Sequence, residues 1–218
     1  MMPRRKEAAA VVAHPDDETL WAGGAILEDR SHFWTVVSLC RRSDPDRAGR
    51  FSRAIERLGA KGAMADLDDG PDQHPLDPES VESAVLSLLP RTDYPLLVTH
   101  SPFGEYTRHR RHEETSRAVT HLWERGRLQI AELWLFAYED GGKQYYPKSI
   151  ERAHVKLELG EKTWNEKADI MLNTYGFAPD SWESQTTPRT EAFWRFCDLQ
   201  AYRAWFEKEQ EIVRGSSK

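Results

Sequence analysis

Ala8-Ala9-Ala10-Val11-Val12-Ala13-His14-Pro15-Asp16-Asp17-Glu18 is the stretch on which the fold of this chain turns. Six small or branched apolar residues in a row, with no polar alternation, fit a short strand buried on both faces, as in a parallel sheet. An imidazole and three carboxylates stand directly where that strand ends. In open α/β sheets ligands bind beyond the carboxyl ends of the strands. So many ionisable groups are costly to desolvate there unless they pair or take a cation. Asp16 or Asp17 capping the next helix, with His14 as bystander packing, is the alternative reading of the same residues.

Strands and helices alternate outward from this point. Glu18 to about Glu28 reads as helix and His32–Cys40 as a second buried strand. Arg47–Leu58 carries Phe51, Ala54, Ile55 and Leu58 on one helical face, with Gly59 suited to end it. Gly62–Leu67 is a short strand closed by Asp68-Asp69-Gly70-Pro71. Asp77 and Pro78 start a helix with the stripe Val81, Ala84, Val85, Leu88, Leu89, which Pro90 stops. Pro95–Thr99 and Glu132–Tyr138 read as strands on either side of a helix from His112 to about Gly126. This succession predicts an α/β, Rossmann-like fold: a mainly parallel sheet with helices on both faces. After Gly141-Gly142 the pattern loosens into an edge strand at His154–Leu159, a helix at Thr163–Tyr175 and an aromatic-rich helical region at Ala192–Gln210. Residues 1–218 are therefore expected to form one domain, with a core over about 8–140 and a less regular C-terminal extension over about 141–218.

Thirty Lys+Arg against 36 Asp+Glu give a formal net charge of −6, which argues against nucleic-acid or membrane-surface binding. No apolar stretch approaches the ~20 residues that span a bilayer. The start, Met1 to Glu7, is followed by too short an apolar run for a signal peptide. Cys40 and Cys197 are too few for a disulfide framework, so a cytoplasmic protein is expected. Gly23-Gly24 lacks the Gly-x-Gly-x-x-Gly pattern, which disfavours a nicotinamide cofactor.

A second polar cluster, Thr99-His100-Ser101-Pro102-Phe103-Gly104-Glu105-Tyr106-Thr107-Arg108-His109-Arg110-Arg111-His112-Glu113-Glu114, follows another strand. His109 and His112, three apart, share a face if helical. They read either as two imidazoles offered to one site or as an exposed polar helix start. With the first cluster they supply the N and O donors of a catalytic zinc site that keeps a position open. His100 reads as a group orienting a ligand or as a packed strand-end histidine. His32, His74, His121 and His154 read as surface or core fillers.

Ala13-His14-Pro15-Asp16-Asp17-Glu18, with the later Thr99-His100, Gly104-Glu105-Tyr106 and His109-x-x-His112, resembles the PIG-L/LmbE family of metal-dependent N-deacetylases over roughly Ala8 to Ala118. The resemblance implies a Rossmann-like fold, one Zn2+ per chain and hydrolysis of an N-acetyl (N-acyl) amide on an amino-sugar compound. It implies His14, Asp17 and His112 as metal ligands and Asp16 as the general base that activates the zinc-bound water. His109 is implied as the imidazolium that stabilises the oxyanion or protonates the leaving amine. Tyr106 falls near a tyrosine that contacts the reacting carbonyl, and Arg47 and Asp69 match positions that hold sugar hydroxyls. Fe2+ or another divalent ion suits such N/O donors as well.

The chain departs from the family at His109-Arg110-Arg111-His112, where His-Pro-Asp-His is usual, in one extra residue between Tyr106 and His109, and in Arg50 where a glutamate is usual. Arg41, Arg42, Arg47, Arg50, Arg108, Arg110 and Arg111 either ring the pocket and favour an anionic substrate or form a solvated rim paired with Glu105, Glu113 and Glu114. The aromatics Trp182, Phe193, Trp194, Phe196, Tyr202, Trp205 and Phe206 stack on a sugar or lipid-like tail, or pack in the core or a dimer. Two other functions remain beside the deacetylase: a hydrolase of another amide in natural-product or thiol-cofactor tailoring, and a carbohydrate-binding protein without catalysis. An oligomer is left open.

Overall fold

The computed structural model describes residues 6–106 and 108–215; the start considered for a leader lies largely outside them. The chain runs β1 (Lys6–Val12), α1 (Asp17–Glu28), β2 (His32–Cys40), α2 (Pro45–Leu58), β3 (Lys61–Leu67), α3 (Pro78–Leu88), β4 (Asp93–Tyr94) and β5 (Leu96–Thr99). It continues through α4 (Arg110–Glu124), β6 (Gln129–Ile130), β7 (Leu133–Phe136), β8 (Tyr138–Glu139), β9 (Lys148–Ser149), β10 (Val155–Glu158) and α5 (Glu161–Asp169). A π-helical turn (Ile170–Thr174), α6 (Trp182–Thr186), β11 (Thr190–Phe196) and α7 (Leu199–Gly215) complete it. Seven strands form one sheet in the order β10-β11-β7-β5-β1-β2-β3, and β4–β6 and β8–β9 are short two-stranded ribbons.

β1 is buried on both faces, as its composition requires. Ala8, Ala10 and Val12 pack with Leu20, Trp21, Phe51 and Phe193, whereas Ala9 and Val11 pack with Val85, Val119 and Leu135 on the opposite face. Its neighbours β2 and β5 are both parallel to it, with Ala10 opposite Val36 and Val98. β3 and β7 extend the parallel set outward. The chain moves from β1 to β2 and β3 on one side, then returns to β5 and β7 on the other. That reversal leaves a crevice beyond the carboxyl ends of β1 and β5.

The C-terminal part corrects the sequence reading. Thr190–Phe196, expected to be helical from Ala192 onward, is a strand that inserts antiparallel between β7 and β10. Its side chains alternate between the two cores, Phe193 to one and Ala192, Trp194 and Phe196 to the other, and aromatics suit such a doubly packed pleat. The helix begins only after Asp198, whose Oδ1 accepts the Ala201 N–H at 2.8 Å. The segment read as less regular thus completes the main sheet. Glu191 of β11, fully buried, accepts the N–H groups of Gly24 and Ala25 at 2.7 Å each and pairs with the equally buried Lys167 at 2.6 Å. This contact clamps α1, whose first turn carries the polar cluster.

Candidate metal and catalytic centre

The turn after β1 is held from several sides. The Ala13 carbonyl accepts the Cys40 N–H at 3.0 Å, and the Ala13 N–H donates to His100 Nε2 at 3.0 Å. Asp16 has φ 123°, a left-handed-side conformation that costs a residue with a Cβ of order 1–3 kcal/mol. The surroundings impose it: its N–H donates to Glu18 Oε2 at 3.1 Å, and its carbonyl accepts from the N–H groups of Thr19 and Leu20 at 3.0 and 2.8 Å. Glu18 is itself fixed by the hydroxyls of Thr19 and Tyr175, each at 2.6 Å. The Asp16 side chain makes no capping bond to α1 and lines the cleft instead.

His14, Asp17 and His112 come together. His14 Nδ1 is 3.2 Å from Asp17 Oδ2 and 3.2 Å from His112 Nε2, and His112 Nε2 is 3.4 Å from Asp17 Oδ2. A tetrahedral ion with metal–ligand distances of about 2.0–2.1 Å has ligand–ligand edges of about 3.3 Å. The three donor atoms therefore have the spacing of three corners of such a tetrahedron and would suit a small divalent ion.

Each of the three is oriented by a further partner. Glu105 Oε2 lies 2.7 Å from His112 Nδ1, and Asp69 Oδ1 lies 3.1 Å from His14 Nε2. Trp21 Nε1 donates to Asp17 Oδ1 at 3.3 Å. Glu105 also accepts the Ser101 N–H at 2.7 Å and approaches His100 Nδ1 at 3.2 Å. Burial alone raises the Glu105 carboxyl, but the His100 and His112 imidazoles bring it down to about 2. Because the Ala13 N–H points at His100 Nε2, that nitrogen serves as an acceptor. His100 stacks on His112 with ring centres 3.9 Å apart and sits within 3.4 Å of Asp17 Oδ2. Sequence reasoning missed Glu105, expected on an arginine-paired rim; its position between two histidines of one cluster was the available signal.

Asp16 and His109 flank this triangle. Arg47 Nη1 donates to Asp16 Oδ2 at 3.2 Å. Burial and the neighbouring Asp17 charge push Asp16 well above the ordinary carboxylate range. Burial, helped by the His112 and His14 imidazoles, holds His109 down to about 4, so it is uncharged at neutral pH. Its Nδ1 is buried without a hydrogen-bond partner among the described residues, and its ring stands 4.8 Å from that of His14 and 4.7 Å from that of His112. His14, His109 and His112 together also bring three ring nitrogens within 4.8 Å of one another.

The cleft above these groups encloses about 180 Å³, less than the roughly 300 Å³ at which pockets for whole drug-sized ligands begin, so it admits one end of a larger molecule. Tyr106 lines it with Trp21 and Trp182, ring centres 5.9 and 4.7 Å away. Burial, with the charges of Asp17 and Glu105, raises the Tyr106 hydroxyl, which stays protonated. Asp69, expected to hold a sugar hydroxyl, lines the cleft; its Oδ1 faces His14 and Gln73 and its Oδ2 faces Arg41. Of the seven arginines only Arg41 and Arg47 line the cleft. Arg50 pairs with Asp46, Arg108 with Glu113, and Arg111, only 2 % exposed, with Glu114. Of the C-terminal aromatics, Trp182 alone reaches the cleft; Phe193, Trp194, Phe196 and Tyr202 are core.

The donor set fits a divalent cation. Asp16, Asp17, Asp69 and Glu183 face the cleft against Arg41 and Arg47, an excess of two negative charges that such an ion offsets.

No protein-family model and no curated protein sequence matches the chain. Solved structures do. The 4-carboxy-2-hydroxymuconate hydratase GalB of Pseudomonas putida KT2440 is 16% identical, with 89% of this chain and 98% of that one covered at a TM-score of 0.63. The N,N'-diacetylchitobiose deacetylase of Pyrococcus horikoshii is 15% identical, covering 88% and 84% at 0.66. The A40926 pseudoaglycone deacetylase Dbv21 is 15% identical, covering 89% and 98% at 0.59. At these identities the likeness is one of fold: the chain has the α/β fold of these deacetylases and this hydratase, as its resemblance to the PIG-L/LmbE family implies.

Proposed function

We propose that the protein is a metal-dependent N-deacetylase of an amino-sugar compound, with His14, Asp17 and His112 holding the cation. The observation that carries this reading is the triangle of donor atoms with edges of 3.2–3.4 Å. Zinc is the ion that suits this set first, and Fe2+ fits the same donors. A divalent cation there supplies Lewis acidity, polarising a carbonyl oxygen and acidifying water. Asp16, with its raised affinity for a proton, accepts one from the attacking water and returns it to the leaving nitrogen, so that amide and water become carboxylate and amine. Arg47 orients that carboxylate. His109, uncharged, offers a ring nitrogen as a hydrogen-bond partner where negative charge develops on the carbonyl oxygen, a task that needs no imidazolium. Tyr106, protonated and beside His112, is a second donor for the acyl group.

The reading takes residues 1–218 as one catalytic domain, supported by β11 lying within the main sheet. It includes a cytoplasmic location, in keeping with two free cysteines, one of them buried. Among the described residues no helix is long and apolar enough to cross a membrane. An amide on a natural-product glycoside falls within the same chemistry and is favoured by the pseudoaglycone deacetylase among the neighbours. Hydration of an unsaturated carboxylate, suggested by the hydratase, is less well served, because Arg41 and Arg47 each face a carboxylate of the protein.

Elemental analysis of the purified protein beside His112→Ala tests the reading. About one divalent ion per chain, lost in the variant, with acetate released from N-acetylglucosaminides, is the expected result. Absence of metal, with none taken up from a zinc solution, overturns it.

A further inference from the structure

We infer that Glu183 is a specificity-determining residue that makes the cleft select substrates carrying a cationic amine beside the reacting amide over neutral ones, and neutral ones over anionic ones. This deepens the deacetylase reading and rests on it. Glu183 stands in α6 next to Trp182, and both line the same cleft as His14 and Asp17. Every other charged group of that lining has a partner within the protein. Arg41 Nη2 is 2.7 Å from Asp69, Arg47 is 3.2 Å from Asp16, and Asp17 is surrounded by His14, His100 and His112. The Glu183 carboxylate makes no ion pair or hydrogen bond among the described residues.

The arginines expected to attract an anion are already each paired with a carboxylate of the protein, Arg41 with Asp69 and Arg47 with Asp16, and a cation in the triangle only brings the lining to neutrality. What then decides between ligands is the one unpaired charge. An ammonium group reaching Glu183 gains a charge-assisted hydrogen bond, whereas a phosphate or carboxylate is repelled by it and must compete with Asp69 and Asp16 for the guanidinium groups. Trp182 supplies a flat apolar surface beside it, on which the carbon skeleton of a sugar ring can lie. Because deacetylation itself turns an amide into an ammonium, the same carboxylate also retains the product amine.

The test compares three substrates with the metal-loaded protein: a neutral methyl N-acetylglucosaminide, N-acetylglucosamine 6-phosphate, and a chitobiose carrying one N-acetyl group and one free amine. Acetate release is measured for the wild type, Glu183→Gln and Glu183→Lys. Wild-type kcat/KM is expected to fall in the order cationic, neutral, anionic. In Glu183→Gln the ratio of cationic to neutral kcat/KM drops about fivefold, the upper end for a partly exposed ion pair, and the drop lies in KM. Glu183→Lys places the phosphate ahead of the amine. Equal changes for all three substrates, or an unchanged ratio, overturn the inference. If the wild type releases acetate from none of them, the deacetylase reading fails. Quenching of tryptophan fluorescence by glucosamine and by glucosamine 6-phosphate then decides the inference separately: tighter glucosamine binding, lost in Glu183→Gln, upholds it, and identical binding to both proteins refutes it.

Discussion

Glu105→Gln removes one charge and almost no volume, yet it is expected to cost the metal site more than any other conservative change outside the donor triangle. The carboxylate accepts on both oxygens, from the Ser101 N–H at 2.7 Å on Oε1 and from His112 Nδ1 at 2.7 Å on Oε2. A carboxamide has a single oxygen. The Ser101 N–H belongs to the backbone and cannot turn away, so that oxygen stays with it and the amide nitrogen faces His112. His112 must then accept at Nδ1 and carry its proton on Nε2, the atom that points at Asp17 and His14. A proton there competes directly with a cation. Loss of such a ligand-orienting partner weakens metal binding about 10- to 100-fold, or about 1.4–2.8 kcal/mol.

The assay is a zinc titration against a chromophoric chelator, run beside thermal denaturation of the metal-free proteins. The variant should remain folded, with a stability loss of about 1–3 kcal/mol for a buried bond spoiled. A zinc affinity within twofold of the wild type, in a folded variant, would refute the reasoning, because it would mean that His112 keeps its tautomer without Glu105.

Asp16→Asn should keep its metal, since Asp16 is outside the triangle, while kcat for acetate release falls about 10²- to 10⁴-fold; metal analysis of the same sample separates the two effects. Lys167→Ala leaves Glu191 buried without its cation and should cost about 3–5 kcal/mol in urea denaturation. Glu105 also predicts an acid limb of stability: its carboxyl is lowered from 4.5 to about 2, so its contribution is complete above the unfolded value and lost as pH falls through that interval. Urea denaturation of metal-free wild type across the interval should show this loss, and Glu105→Gln should show less of it.

The parts of the fold that could be read from the chain were those with one dominant local signal. β1 announces itself by an apolar run, α2 by its stripe and by Gly59 in the left-handed conformation, and α3 by Asp77 accepting the Ser80 N–H. β11 could not be read in this way. Aromatics at Phe193, Trp194 and Phe196 satisfy a helical count as well as an alternating one, and only the partners on both sides, β7 and β10, decide between them. The site divides similarly. Residue types and spacing point to two polar clusters at strand ends, and it is the family resemblance that implies His14, Asp17 and His112 as ligands, whereas the duties of Asp69 and Glu105 depend on distances across the chain, from Asp69 to His14 and from Glu105 to His100. The arginines misled for the same reason: a run of cations shows in the sequence, but not which carboxylate each one meets.

Asp16 and Asp17 show how far environment, rather than residue type, assigns a task. They are adjacent and chemically identical. Burial opposes the charge on both, but His112 and His100 hold Asp17 well below the ordinary carboxylate range, while Asp16, with Asp17 for a neighbour and only Arg47 in contact, is pushed well above it. Two carboxylates driven apart in this way divide into one that stays charged and can bind a cation and one whose affinity for a proton is raised, so that it can take one up and release it. The positive φ of Asp16 belongs to the same division. It is enforced by the Glu18 carboxylate on the Asp16 N–H, and Glu18 is fixed in turn by the Tyr175 hydroxyl from the far end of the chain. Freeing that turn would let Asp16 relax into an ordinary helix cap, and the proton acceptor would be lost although every residue of the motif remained in place.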